Sequence, residues 1–305
     1  MIKFLKTNKY IYYFKYPLKK ITTIRNNGYT KYFVLVNNIE ELINLINYLR
    51  LKNKKYLIIG NGSKLVFLKN YNGMIISLKK LNKIYIKENV EVECGASILD
   101  LINTIKKYNL GGIEELSGIP STIGGALVNN SNAHNKSLYD YLVKVLVYKD
   151  KLMFLSKDDI DYGYRYSSLK NKYIVLRAYF NFDNIDVDII DNNIKKYLKY
   201  RLKNQVISYP NIGSIFKNKN DIKAHEIIRK CNLENFKYKN VSFNKKHINF
   251  ICIKGAVSGK YIYKFVKKIQ KKVKKILNIN LETEIIFKKW KLDKKKCNII
   301  KVKID

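Results

Sequence analysis

Two glycine-rich stretches carry the residues best suited to bind an anionic ligand. The first is Gly60-Asn61-Gly62-Ser63-Lys64-Leu65, which follows a short apolar run at Tyr56–Ile59. Its amides and the Ser63 hydroxyl could face a phosphate, although Asn-Gly is also a common hairpin turn. It has neither a full GxGxxG fingerprint nor a Walker lysine-serine ending. The second stretch, residues 112–130, reads GIEELSGIPSTIGGALVNN. It gathers Gly118, Ile119, Pro120, Ser121, Thr122, Gly124, Gly125, Ala126 and Asn130 in a chain otherwise crowded with Lys, Ile, Asn and Tyr. Glycine serves where the backbone turns to positive φ or a ligand comes close. Amides unshielded by side chains form a natural cradle for a diphosphate. Two such loops, each after a strand-rich block, suit a ligand with a diphosphate and an aromatic ring.

Three further segments hold groups that could act on a bound substrate. Tyr164-Arg165-Tyr166-Ser167 sets one arginine among aromatic and hydroxyl side chains. Gly213-Ser214-Ile215-Phe216-Lys217-Asn218 places a serine beside a glycine with a lysine nearby, but without the G-x-S-x-G elbow of a hydrolase nucleophile. Glu284 lies in LETEIIF on an expected strand. Taken singly, each has a plainer reading: a surface arginine, a turn serine, a solvent-facing glutamate.

The elements that must position these groups follow from periodicity. Residues 39–52 place Leu42, Ile43, Ile46 and Leu49 at helical spacing, and residues 98–108 read as a second helix. Strands are expected at 74–78, 83–86, 90–94, 142–148 and 173–182. The charged segment 186–204 reads as a helix or helical linker at a domain boundary. Residues 260–279 form the clearest helix, with Ile262, Phe265, Val266, Ile269, Val273, Ile276 and Leu277 on one face and lysines on the other.

Composition narrows the class. With 305 residues, 47% of them hydrophobic, the chain can bury real cores over two or three domains. The formal net charge of +36 arises from 60 Lys and Arg against 24 Asp and Glu. These lysines are spread along the whole chain, which argues for compositional drift over a nucleic-acid surface. Cys94, Cys231, Cys252 and Cys297 are far apart and read as reduced thiols of a cytoplasmic protein. With three scattered histidines, they offer no metal site. The basic N-terminus lacks an uninterrupted apolar region, so neither a signal peptide nor a membrane span is expected.

In their order, the motifs resemble the UDP-N-acetylenolpyruvoylglucosamine reductase (MurB) family, from about Thr22 to Phe287. A TTxxxGG pattern is similar to Thr22 through Gly28, GxGSNLL to Gly60 through Val66, and GLExLxGIPGTVGGAxxxNAGAYG to residues 112–135. YRxS, PSxGSxFKNP and LExEVRxxG are similar to 164–167, 210–219 and 281–288. The resemblance implies an α+β fold of the PCMH or vanillyl-alcohol-oxidase type, in the shorter of the family's two forms. Two FAD-binding subdomains (1–73 and 74–185) would be followed by a substrate-binding domain (186–305). It implies that NADPH reduces FAD, and that UDP-N-acetylglucosamine enolpyruvate then receives a hydride at its β-carbon. Arg165 and Glu284 would polarise the carboxylate and Ser214 would donate the proton. Lys217 and Tyr164 would bind substrate, and the residues of the two glycine-rich stretches would bind FAD. The expected protein is a cytoplasmic monomer with small-molecule partners, bound neither to nucleic acid nor to a membrane. The alternatives are another FAD-dependent oxidoreductase of the same fold, or an eroded flavin- or polyanion-binding protein. The chain departs from the pattern at 130–135, where two glycines are lost, at Lys219, at 224–232 and at 239–240. All three expected catalytic residues are spared.

Overall fold

The computed structural model describes residues 1–205, 210–219, 222–253 and 255–289. The tail after Trp290, for which the sequence suggests no role, and Cys297 lie outside the described residues.

A four-stranded sheet opens the chain, in the spatial order Ile11–Pro17, Tyr29–Leu35, Tyr71–Ser77, Tyr56–Ile59. Its first pair is antiparallel and the others are parallel. Parallel pairing needs a crossover, which the helix Ile39–Leu51 supplies. Asn38 caps this helix by accepting from the Glu41 amide at 2.8 Å. Leu42, Leu45, Ile46 and Leu49 face the core, while Ile43 lies half-buried at its edge. The strand Tyr71–Ser77 runs through the division expected at 73/74, so the first sheet closes at Ser77.

A five-stranded antiparallel sheet follows, in the order Leu152–Ser156, Leu142–Tyr148, Ile174–Phe180, Val90–Glu93, Ile84–Ile86. The helix Ile98–Ile105 is capped by Ser97 and buries Ile98, Leu101, Ile102 and Ile105. The short helix Ile123–Asn129 packs its Ile123, Ala126 and Leu127 into the same core. One apolar cluster extends from Leu5 to Phe182, so the two sheets share a core.

The helix Val187–Asn204 leads to a third unit with its own apolar cluster. There the strands Lys237–Tyr238, Val241–Phe243 and Ile251–Ile253 form an antiparallel sheet. The helix Gly259–Leu277 buries Ile262, Phe265, Val266, Ile269 and Val273. Ile276, expected on that face, is exposed, whereas Leu277 beside it packs against the cluster. The last described strand, Ile286–Lys288, leaves this unit and pairs in parallel with Leu65–Phe67, with Ile286 opposite Leu65. This register carries the residues just before Ile286 onto the first glycine-rich loop.

Candidate active site

A cleft of about 670 Å³ lies among the two glycine-rich stretches, the Arg165 hairpin and the third unit. A second cavity of about 190 Å³ adjoins it. Arg165, Ser214 and Glu284 line both, and no other described residue does. The three residues, distant in sequence, thus form the wall between two spaces.

Each is placed by backbone contacts. The Ile286 amide donates to the Lys64 carbonyl at 2.7 Å, and the Glu284 amide donates to the Ile215 carbonyl at 2.8 Å. These bonds turn the Glu284 side chain inward, where it is 5% exposed, not solvent-facing as a lone strand glutamate would be. Ser214 bridges Phe250, and the Ile215 amide donates to the Asn249 carbonyl at 2.9 Å. The Asn249 side chain closes the segment, accepting from the Phe216 amide at 3.0 Å and donating to the Phe216 carbonyl at 2.8 Å.

Arg165 sits at the tip of the hairpin Tyr162–Gly163, Tyr166–Ser167 with φ of 54°. That left-handed conformation costs an L-residue roughly 1–2 kcal/mol, and the contacts around it hold it there. Arg165 Nη1 donates to Asn132 Oδ1 at 2.6 Å and to the Asn130 carbonyl at 3.3 Å. The Asn130 side chain donates to the Gly163 carbonyl at 2.8 Å and so anchors the hairpin from behind. Arg165 Nε lies 3.2 Å from Glu284 Oε2.

Lys64 adds a second cation that local spacing does not reveal. Its Nζ lies 2.8 Å from the same Glu284 Oε2 and donates to the Ser214 carbonyl at 2.9 Å. Burial lowers the Lys64 pKa below its ordinary value, and the Glu284 carboxylate opposes that shift. Lysine stands here where the resembled motif has asparagine, and this exchange is the only sequence signal for the ion pair. Lys217 also lines the large cleft, with Nζ 3.1 Å from Glu282 Oε2. Tyr164 lines the small cavity and its hydroxyl accepts from the Asn218 amide at 3.1 Å.

The two glycine-rich stretches play different parts. Gly60, Asn61, Gly62, Ser63, Lys64 and Leu65 all line the large cleft. Among the described residues, the amides of Asn61, Gly62, Ser63 and Lys64 donate to no protein acceptor. In the second stretch Ile119, Pro120, Ser121, Thr122, Gly124 and Gly125 line the cleft. Several of its amides are engaged: Ile123 with the Ala96 carbonyl at 2.9 Å, Gly124 with that of Cys94 at 2.8 Å, Gly125 with Thr122 Oγ1 at 3.3 Å; those of Gly118 and Thr122 have no acceptor among the described residues. The longer run of free donors thus belongs to the first loop, and the second stretch also packs against the core through Ile123, Ala126 and Leu127. Gly118, Ala126 and Asn130 are set back from the cleft. Ala126 is core, Asn130 anchors the hairpin, and Gly118 lies under the Arg201 side chain.

FAD fits this cleft on its own terms. Free loop amides suit a diphosphate, and Leu57, Pro120, Val128 and Ile174 supply apolar wall for a ring system. Gly62, with φ of +63°, shows how tightly the loop is built, since an added Cβ would lie 2.1 Å from the Ile21 carbonyl oxygen. Gly62→Ala should therefore lower stability by about 2 kcal/mol and weaken FAD binding. A flavin fluorescence titration and a thermal melt check both, and an unshifted melt would contradict the close packing.

The small cavity carries two histidines, His225 and His247, with ring centroids 6.1 Å apart. Burial lowers both pKa values below the ordinary 6.5. Lys223 and Arg229 add to the shift at His225, where Glu226 opposes it, and His225 adds to the shift at His247. Below pH 6.5 the unfolded chain binds more protons at these sites than the folded one. Their contribution is therefore complete above that value and is lost as pH falls toward the depressed folded pKa values. Replacing both with asparagine should flatten the decline of the melting midpoint between roughly pH 7 and pH 5. An unchanged slope would place the acid sensitivity elsewhere. Among the described residues, no group of three or more His, Cys, Asp or Glu side chains is arranged to hold a metal. No described helix is long and apolar enough to cross a membrane.

An α+β fold with a free-amide loop beside a cleft of this size suits a flavin dinucleotide, and comparison with known proteins places the chain among FAD-binding proteins. Residues 30–151 match the family described as FAD binding domain, and residues 205–288 match the UDP-N-acetylenolpyruvoylglucosamine reductase C-terminal domain. The UDP-N-acetylenolpyruvoylglucosamine reductase of Clostridium novyi is 32% identical over 273 residues, covering 88% of this chain and 89% of the relative. That of Prochlorococcus marinus is 34% identical over 283 residues, covering 89% and 95%. The chain belongs to the UDP-N-acetylenolpyruvoylglucosamine reductase family. A crystal structure of the reductase (MurB) from Thermus caldophilus superposes with a TM-score of 0.77 at 23% identity, over 91% of this chain and 98% of that one, and shares its fold.

Proposed function

We propose that this chain catalyses the NADPH-dependent reduction of UDP-N-acetylglucosamine enolpyruvate to UDP-N-acetylmuramate, with FAD as cofactor, in peptidoglycan precursor synthesis. The observation that carries this reading is the placement of Arg165, Ser214 and Glu284 between the two cavities. When bound, FAD would supply to the enolpyruvyl β-carbon a hydride taken from NADPH. Negative charge then builds on the α-carbon and spreads into the carboxylate. Arg165 and Lys64 bring positive charge to that point, and Glu284 holds both side chains in place. A fixed charge of this kind needs no reorganisation as the transition state forms. Ser214 gives its hydroxyl proton to the α-carbon, so that one hydride and one proton are added across the double bond. Lys217 and Tyr164 bind substrate, and the loop from Gly60 to Leu65 and the residues from Ile119 to Gly125 hold FAD, with Gly118, Ala126 and Asn130 supporting that wall. In the proposed division, expected at 1–73 and 74–185 and with its first boundary moved to the end of the first sheet at Ser77, the first two units hold FAD and residues 186–305 close over the substrate.

The enzyme is taken to act as a cytoplasmic monomer on small molecules, without nucleic-acid or membrane partners. Mass spectrometry of a reaction containing FAD, NADPH and the enolpyruvyl substrate tests the reading. The expected product is heavier by one hydride and one proton and forms only with all components present. Recovery of unchanged substrate would contradict it.

A further inference from the structure

The last turn of the helix Val187–Asn204 brings Arg201 to the large cleft. Arg201 forms no ion pair among the described residues, and its buried Nε has no hydrogen-bond partner there. Burial alone lowers its pKa from the ordinary value. Gln205, one turn on, also lines the cleft, and its buried Oε1 likewise has no partner among the described residues. Gly118 makes room for the arginine: a Cβ there would lie 2.4 Å from Arg201 Cδ and 3.1 Å from its Nε.

A half-buried cation without a counter-charge gives up part of its hydration with no ion pair in return. The surrounding charge does not compensate it. The described residues lining the cleft include six cationic side chains, Lys64, Arg165, Lys170, Arg201, Lys217 and Lys288, and one carboxylate, Glu284. Glu284 already pairs with Lys64 and Arg165.

We infer that Arg201 is a diphosphate-binding residue, held over Gly118 so that its planar donors meet the phosphates of a ligand lying in the large cleft. A guanidinium suits this task because its fork of N–H groups matches phosphate oxygens. The inference rests on the proposed reductase reading, in which both FAD and the nucleotide sugar carry a diphosphate.

Two pairs of probes separate the sources. Flavin-stripped protein is titrated with FAD and with riboflavin, which has no phosphate. The FAD-loaded protein is titrated with UDP and with uridine. Arg201→Gln should weaken one diphosphate ligand roughly 10- to 100-fold while sparing its phosphate-free counterpart. Loss on FAD assigns the cofactor's diphosphate, and loss on UDP assigns the substrate's. Arg201→Met, which keeps the aliphatic stem over Gly118, should lose as much and serves if the glutamine variant folds poorly. Unchanged affinity for both FAD and UDP, or an equal loss with and without phosphates, would overturn the inference. These readouts involve no turnover, so a selective loss stands even if the reductase activity is absent.

Discussion

Replacing Ser214 with alanine should lower turnover roughly 1,000-fold, within the range of a positioned proton donor, while leaving FAD bound and the melting midpoint nearly unchanged. The separation follows from how Ser214 is held. Its carbonyl accepts from Lys64, it bridges Phe250, and the Ile215 amide beside it bonds to Asn249. All are backbone contacts of the segment, and alanine keeps them. Only the hydroxyl is lost, at a position shared by both cavities. Serine is a weak acid, but the charge built at the substrate's α-carbon is a strong base, and Arg165 and Lys64 lie close by. Steady-state rates, flavin content and a thermal melt decide the matter. Normal turnover in the variant would move the proton donor to another residue.

Glu284→Ala should show the second large effect, and in a different pattern. Rate should fall about 100- to 1,000-fold, the usual loss for a fixed electrostatic group, and stability should fall with it. Glu284 Oε2 is the shared partner of Lys64 at 2.8 Å and Arg165 at 3.2 Å. Removing it leaves two cations facing each other with no carboxylate between them. Breaking a buried pair costs 3–5 kcal/mol; Lys64 and Arg165 are 29% and 22% exposed, which places the loss near the lower end, about 3 kcal/mol. Adding Lys64→Asn to Glu284→Ala should restore part of the stability, because one orphaned cation is gone, but not the rate. A double-mutant cycle measures this coupling. Additive stability losses would show that the pair is not energetically linked.

The helices at 39–51, 98–105 and 259–277 are readable because their apolar positions recur at helical spacing, whereas 187–204, which buries only Ile190, is legible only as a charged helix or helical linker. The motif order placed Arg165, Ser214 and Glu284, which the structure gathers on one wall. Periodicity reports which face of an element is buried, but not what lies across from it. Lys64 and Glu284 meet only because Ile286–Lys288 pairs in register with Leu65–Phe67. No local rule predicts that pairing across the chain. The same limit applies to the second glycine-rich stretch. Its composition suggests free amides, yet those of Ile123 and Gly124 bond to Ala96 and Cys94, neighbours that the sequence alone does not supply. Gly118 likewise reads as a ligand-facing glycine until the Arg201 side chain is found above it.

Anaerobic NADPH oxidation by the FAD-loaded protein, followed with and without UDP-N-acetylglucosamine enolpyruvate, tests the central claim most directly. Sustained oxidation that depends on the enolpyruvyl substrate and consumes the two in equal amounts is the predicted result. Oxidation that stops at one equivalent per bound flavin, whether or not the substrate is present, would contradict the assignment.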